Sequence, residues 1–207
     1  MAPLRLMLLC SLLVTGPLWA AEVSNVSLGH DEGVYHLRLE ARLDAPPVAV
    51  FAVITDYDRI HRLHRRVRES RVIRRIDART TEVFTELKGC VAAIFCKTLR
   101  RIERVTEYPP YELSAVVLPD GSDLKSGRVR WRLRADGDGT LLHYESEMEP
   151  DFWVPAMMGD ALVARSLRNT TTDMIARVEV LARKLVVGGG EPWVTERPSP
   201  GTPVSEP

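Results

Sequence analysis

Five histidines, three cysteines and a set of large aromatic and thioether side chains are the groups in this 207-residue chain from which chemistry would have to come. His61 and His64 stand three apart, close to Asp56 and Asp58, which superficially suggests a metal site. A zinc-type site needs a third well-placed ligand. None is evident and arginines crowd both histidines, so no metal is expected. His143 sits between outward-facing charged residues near Glu145. Cys90 and Cys96 are separated by five residues, a spacing that suits the end of a hairpin. In an oxidising compartment that pair favours a disulfide. Two free buried thiols, or metal or redox chemistry, are the other readings. No serine or cysteine nucleophile lies in a recognisable motif, no glycine-rich phosphate loop occurs, and most acidic residues fall on outward faces. No catalytic residue is assigned and no cofactor is expected.

The hydrophobic pattern shows which elements would hold these groups. Residues 34–43 alternate, with Tyr35, Leu37, Leu39, Ala41 and Leu43 on one face and His36, Arg38, Glu40 and Arg42 on the other. That is a half-buried strand. Pro46-Pro47 ends it and suits the first turn of a helix, which Asp44 is placed to cap. Val48, Phe51, Ala52 and Ile54 follow helical spacing up to Asp56-Tyr57-Asp58. Strands are then readable at 70–76, 81–88, 95–106 and 111–118, with Pro109-Pro110 as a turn. The faces of 81–106 do not alternate cleanly, and no register is assigned there.

The next hairpin is well determined. Strands 128–134 and 141–149 flank a turn at residues 135–140. Folding back about that turn sets Arg130 opposite Glu145 and Arg128 opposite Glu147, an ion-pair ladder. The other face pairs Val129 with Ser146, Trp131 with Tyr144 and Leu133 with Leu142. A greasy segment, residues 152–158, leads into a long amphipathic helix of about 155–187. Its stripe is Val163, Leu167, Met174, Val178, Leu181 and Leu185, interrupted by Thr170 and Thr171. Gly188-Gly189-Gly190 ends it.

The first 20 residues read as a signal peptide: Arg5, an apolar stretch from Leu6 to Val14, the break at Gly16-Pro17, and cleavage after Ala20. Its apolar run is shorter than the roughly 20 residues that span a bilayer. A periplasmic or secreted protein is therefore expected. The folded domain is expected at 33–187, and the proline-, serine- and glutamate-rich residues 188–207 as a disordered tail. Equal numbers of basic and acidic residues, 28 each, argue against nucleic-acid binding. Locally, Arg59, Arg62, Arg65, Arg66, Arg68, Arg71, Arg74 and Arg75 face only Glu69. They read either as a patch drawn to an anionic membrane surface or as a solvated face paired with carboxylates elsewhere.

Three segments carry a resemblance: residues 45–57, residues 122–127 before a tryptophan strand, and Glu149-Pro150-Asp151-Phe152-Trp153-Val154-Pro155 before the last helix. With the strand–helix–strands–helix order, the chain resembles the START-like, helix-grip superfamily of polyketide cyclases and lipid-transfer proteins. More narrowly it is similar to coenzyme Q-binding START-domain proteins. It departs from them at Ile60-His61-Arg62-Leu63-His64, where relatives often carry a proline.

The resemblance implies an α+β helix-grip fold, a curved antiparallel sheet wrapped around a long C-terminal helix, with a tunnel between them. Trp131, Tyr144, Met148, Phe152, Trp153, Met157, Met158, Leu167 and Met174 are then its walls and lid, and Thr170 and Thr171 a polar spot or self-satisfied helix hydroxyls. The expected function is binding or transport of a lipid, isoprenoid quinone or similar hydrophobic small molecule. A cyclase- or hydratase-type enzyme using the same cavity, and a protein-interaction module, are the alternatives.

Overall fold

A computed structural model of the chain describes residues 21–91, 95–152 and 159–188. Eight antiparallel strands form one sheet in the order β1-β2-β8-β7-β6-β5-β4-β3. They are β1 (Glu22–Asp31), β2 (Val34–Leu43), β3 (Val67–Arg75), β4 (Thr80–Val91), β5 (Phe95–Tyr108), β6 (Glu112–Leu118), β7 (Leu124–Asp136) and β8 (Gly139–Pro150). Between β2 and β3 run a short helix α1 (Pro47–Ile54) and a 3-10 segment, Tyr57–Arg62; the long helix α2 (Gly159–Val187) follows β8. This is the expected helix-grip arrangement. Among the described residues no helix is long and apolar enough to cross a membrane.

The β7–β8 hairpin folds in the register read from its alternation: Trp131 faces Tyr144, Val129 faces Ser146 and Leu133 faces Leu142. Its strands run further into the turn than expected, leaving Gly137-Asp138, where Gly137 takes φ +60°. A two-residue hairpin turn needs that left-handed conformation. Gly139 has a different reason: a Cβ there would stand 2.6 Å from the Leu43 carbonyl oxygen. On the outer face Arg130 stands opposite Glu145 and Arg128 opposite Glu147 as expected, but the ion pairs run elsewhere. Arg130 reaches Glu112 of β6 at 3.6 Å rather than Glu145, and Glu145 is shared by Arg38 of β2 and Arg132 of β7. Arg130–Glu112 and Arg132–Glu145 lean diagonally between strands, whereas Arg38 and Glu145 face each other directly.

Strand β1 went unread in the sequence. It alternates Val23, then Val26 and Leu28, because a bulge between Ser24 and Ser27, with Asn25 at φ +49°, breaks the period of two. Helix α1 also corrects two expectations. Pro46 occupies the N-cap position and no side chain caps the helix. Asp44 is used otherwise: its N–H donates to Glu179 Oε1 of α2 at 2.9 Å, and its carboxylate lies 3.5 Å from Arg183. The buried face of α1 is Ala49, Val50, Phe51, Val53 and Ile54, while Val48 is exposed.

The C-terminal half of α2 supplies the helix's fully buried contacts, Ile175, Val178 and Ala182, against the inward residues of β2 and α1. Glu179 shares that face and is itself buried. Leaving the Asp44 N–H without its acceptor costs about 1–3 kcal/mol. The Glu179→Ala variant is therefore expected to unfold at lower denaturant with an unchanged m-value, read from urea titration by circular dichroism.

Candidate functional site

Only part of the concave face of the sheet is covered by α2 and α1. The uncovered part is a cavity of about 310 Å³. On one side lie Val83, Thr85 and Leu87 of β4 with Leu99, Arg101, Glu103 and Val105 of β5. On the other side stand Val129, Trp131, Tyr144 and Met148 from β7 and β8. Trp131 and Tyr144 meet edge-to-face, ring centroids 4.9 Å apart at 78°. That geometry suits the ring quadrupoles and holds both rings upright against the cavity.

The near end of α2 contributes Val163, Leu167, Thr170, Thr171 and Met174, and the 3-10 segment and the loop after it contribute Tyr57, Ile60, Leu63 and His64. Thr170 is not satisfied solely within its own helix: Arg66 donates to its Oγ1 at 3.4 Å, tying the loop before β3 to α2. Arg177 donates to the Arg62 carbonyl oxygen nearby at 3.2 Å. Phe152 lies at the edge of the cavity, with Lys97 Nζ 4.0 Å from its ring centroid. Such a contact is a cation–π pair.

Trp131, Tyr144, Met148, Phe152, Leu167, Thr170, Thr171 and Met174 are thus brought together on one cavity. Trp153, Met157 and Met158 lie outside the described residues, as do residues 1–20 and 189–207. Cys90 and Cys96 are direct partners in the β4–β5 ladder; the side chain of Cys90 is outside the described residues. The acidic residues correct the sequence reading. Glu103 points inward and is 7% exposed, and Glu107, on the same face of β5, accepts a 2.8 Å hydrogen bond from the Tyr57 hydroxyl. These were illegible because the register of β4 and β5 was unassigned. Their signal was the very failure of that stretch to alternate.

Electrostatics separate the inner cavity from its rim. Burial pushes the Tyr144 hydroxyl up from its ordinary value, partly offset by a hydrogen bond with Ser146 and the charge of Arg101. Burial, and then Arg66, push the His64 imidazole down. Burial raises the Asp56 carboxyl in spite of Arg59 and Arg62 beside it. His61 and His64 join no group of three or more potential metal ligands among the described residues.

A curved antiparallel sheet closed by one long helix over a largely apolar cavity defines a helix-grip fold. A family model described as polyketide cyclase / dehydrase and lipid transport matches residues 35–179, and the chain belongs to that family. Solved structures share the fold. A protein from Thermus thermophilus superposes with a TM-score of 0.62 at 15% identity, over 75% of this chain and 99% of the other. The ZhuI aromatase/cyclase from Streptomyces sp. R1128 gives 0.59 at 16%, over 76% and 98%. A STAR-related lipid transfer protein from Xanthomonas axonopodis gives 0.55 at 15%, over 75% and 99%. No curated protein matches the sequence.

Because Tyr144 resists ionisation when folded, its contribution to stability is fully present below the unfolded tyrosine value of about 10. It is lost as pH rises above that, toward the raised folded value. Tyr144→Phe is expected to flatten the alkaline limb of the stability profile, measured by denaturant unfolding from pH 8 upward.

Proposed function

We propose that this protein binds and carries a lipid, isoprenoid quinone or similar hydrophobic small molecule without transforming it. The single observation that supports this best is the cavity itself: about 310 Å³, walled by aliphatic and aromatic side chains from β2, from β4 to β8 and from α2. It falls at the small end of ordinary ligand sites, roughly 300–1,000 Å³. One head or one compact ring system fits within that volume. Affinity would come from burying apolar ligand surface, about 25 cal/mol per Å² before the costs of association.

A cyclase- or hydratase-type reading draws on Glu103 and Tyr144 in the same cavity. Native mass spectrometry followed by organic extraction separates the two: a carrier returns its ligand unchanged at near-unit stoichiometry, whereas an enzyme converts a substrate supplied to it. A protein that carries no ligand and takes up nothing from a lipid and quinone panel would overturn the carrier reading. Leu167→Trp, which places an indole in the cavity, is expected to lower uptake by about tenfold or more while the fold is retained.

The proposal extends to export and to a Cys90–Cys96 bridge. Directly opposed residues in an antiparallel ladder lie within disulfide reach. The loop is short, so the bridge would add only about 2 kcal/mol. Intact-mass measurement on the protein from its own periplasm is expected to give a chain beginning at Ala21 that takes up no thiol label until reduced. A chain retaining residues 1–20, or one labelled without reductant, would overturn the corresponding part.

Contact with an anionic membrane through residues 59–75 has weaker support. Carboxylates of Asp56, Glu69 and Glu82 already engage Arg59, Arg62, Arg71 and Arg74.

A further inference from the structure

The inward face of β4 and β5 carries a polar island. Thr85 and Arg101 are direct cross-strand partners, and Glu103 follows Arg101 by two residues on the same face. All three line the cavity. Arg101 Nε stands 2.9 Å from Glu103 Oε2, yet its N–H is not aligned for a hydrogen bond with that oxygen and meets no other acceptor of the protein. Thr85 is 1% exposed, and its Oγ1 has no hydrogen-bond partner in the protein. From β8, the Tyr144 hydroxyl lies within electrostatic range of both Arg101 and Glu103. A buried donor or acceptor left unpaired is costly, so such atoms mark places where a ligand group restores the missing bonds.

We propose that Thr85, Arg101 and Glu103 are the polar end of the site and select amphiphiles that terminate in an uncharged hydroxyl. This rests on the cavity being a ligand site, as argued above. The Arg101 charge is already matched by Glu103, so the island as a whole is neutral. A carboxylate or phosphate would bring a second anion beside Glu103 in a low-dielectric enclosure, where repulsion is strong. A hydroxyl is complementary, because it donates to Glu103 while accepting from Arg101 or Thr85. An ether oxygen only accepts, and leaves the carboxylate unserved. Fatty alcohols, hydroxylated polycycles and the reduced, hydroxyl-bearing form of a quinone share the favoured chemistry.

The test uses one chain length with three ends. Displacement of the neutral fluorophore N-phenyl-1-naphthylamine from the purified protein at about pH 8 is measured for 1-dodecanol, dodecyl methyl ether and dodecanoate. The alcohol is expected to bind about 5–10-fold more tightly than the ether, and more tightly still than the carboxylate. Thr85→Val, close in shape but lacking the hydroxyl donor, is expected to weaken the alcohol about threefold, and the ether, whose oxygen also accepts, by a similar factor. Glu103→Gln is expected to narrow or reverse the preference for alcohol over carboxylate. Dodecanoate binding the unaltered protein as tightly as dodecanol would overturn the proposal. So would alcohol affinity indifferent to Thr85→Val. Equal binding of all three ends would sink the proposal while leaving the carrier reading intact; no binding of fluorophore or ligands would sink both.

Discussion

One helix cannot cover the concave face of an eight-stranded sheet, and the rest of this molecule follows from that mismatch in area. α2 resolves it unevenly. Its C-terminal half is driven into the sheet by Ile175, Val178 and Ala182 and is fastened where Glu179 accepts the Asp44 N–H. Toward its N-terminal end the same helix only roofs a space, through Val163, Leu167 and Met174. The sheet satisfies its own backbone groups in the ladder, so the surface it turns to that space is side chains alone. Apolar residues can line it without leaving amides unpaired, which is the condition for a dry site able to bury a hydrophobic molecule.

What could be read from the sequence tracked how faithfully each strand separates polar from apolar. In β2 and the β7–β8 hairpin the inner face is apolar apart from hydroxyls such as Ser146, and the pairing of Trp131 with Tyr144 followed from counting residues about a turn. In β4 and β5 both faces break the rule. Thr85, Arg101 and Glu103 turn inward toward the cavity, while Phe84 turns outward and lies under the Arg71 guanidinium. A stretch in which binary patterning fails has no legible register, so its inward polar residues could not be named. Such local violations are expected where function outweighs packing. The bulge at Asn25 hid β1 for a different reason, by shifting the phase of an otherwise ordinary alternation. Asp44 was misread because a cap is a local inference, whereas its real partners, Glu179 and Arg183, come from the far end of the chain.

The two edge strands of the sheet have a consequence for self-association. β1 and β3 are the edge strands of the sheet, the positions at which β proteins aggregate edge to edge; on β3 the Val72 N–H is already taken by Asp58 Oδ1 at 2.9 Å. Each edge is blunted by its own device. On β1, the bulge between Ser24 and Ser27 interrupts the straight run that a docking strand would need. On β3, Arg68, Arg71, Arg74 and Arg75 are all exposed, so an antiparallel copy would bring like charges face to face. The arginines of β3 thus have a consequence that involves neither ligand nor membrane: exposed like charge along an edge strand opposes its pairing with a second sheet.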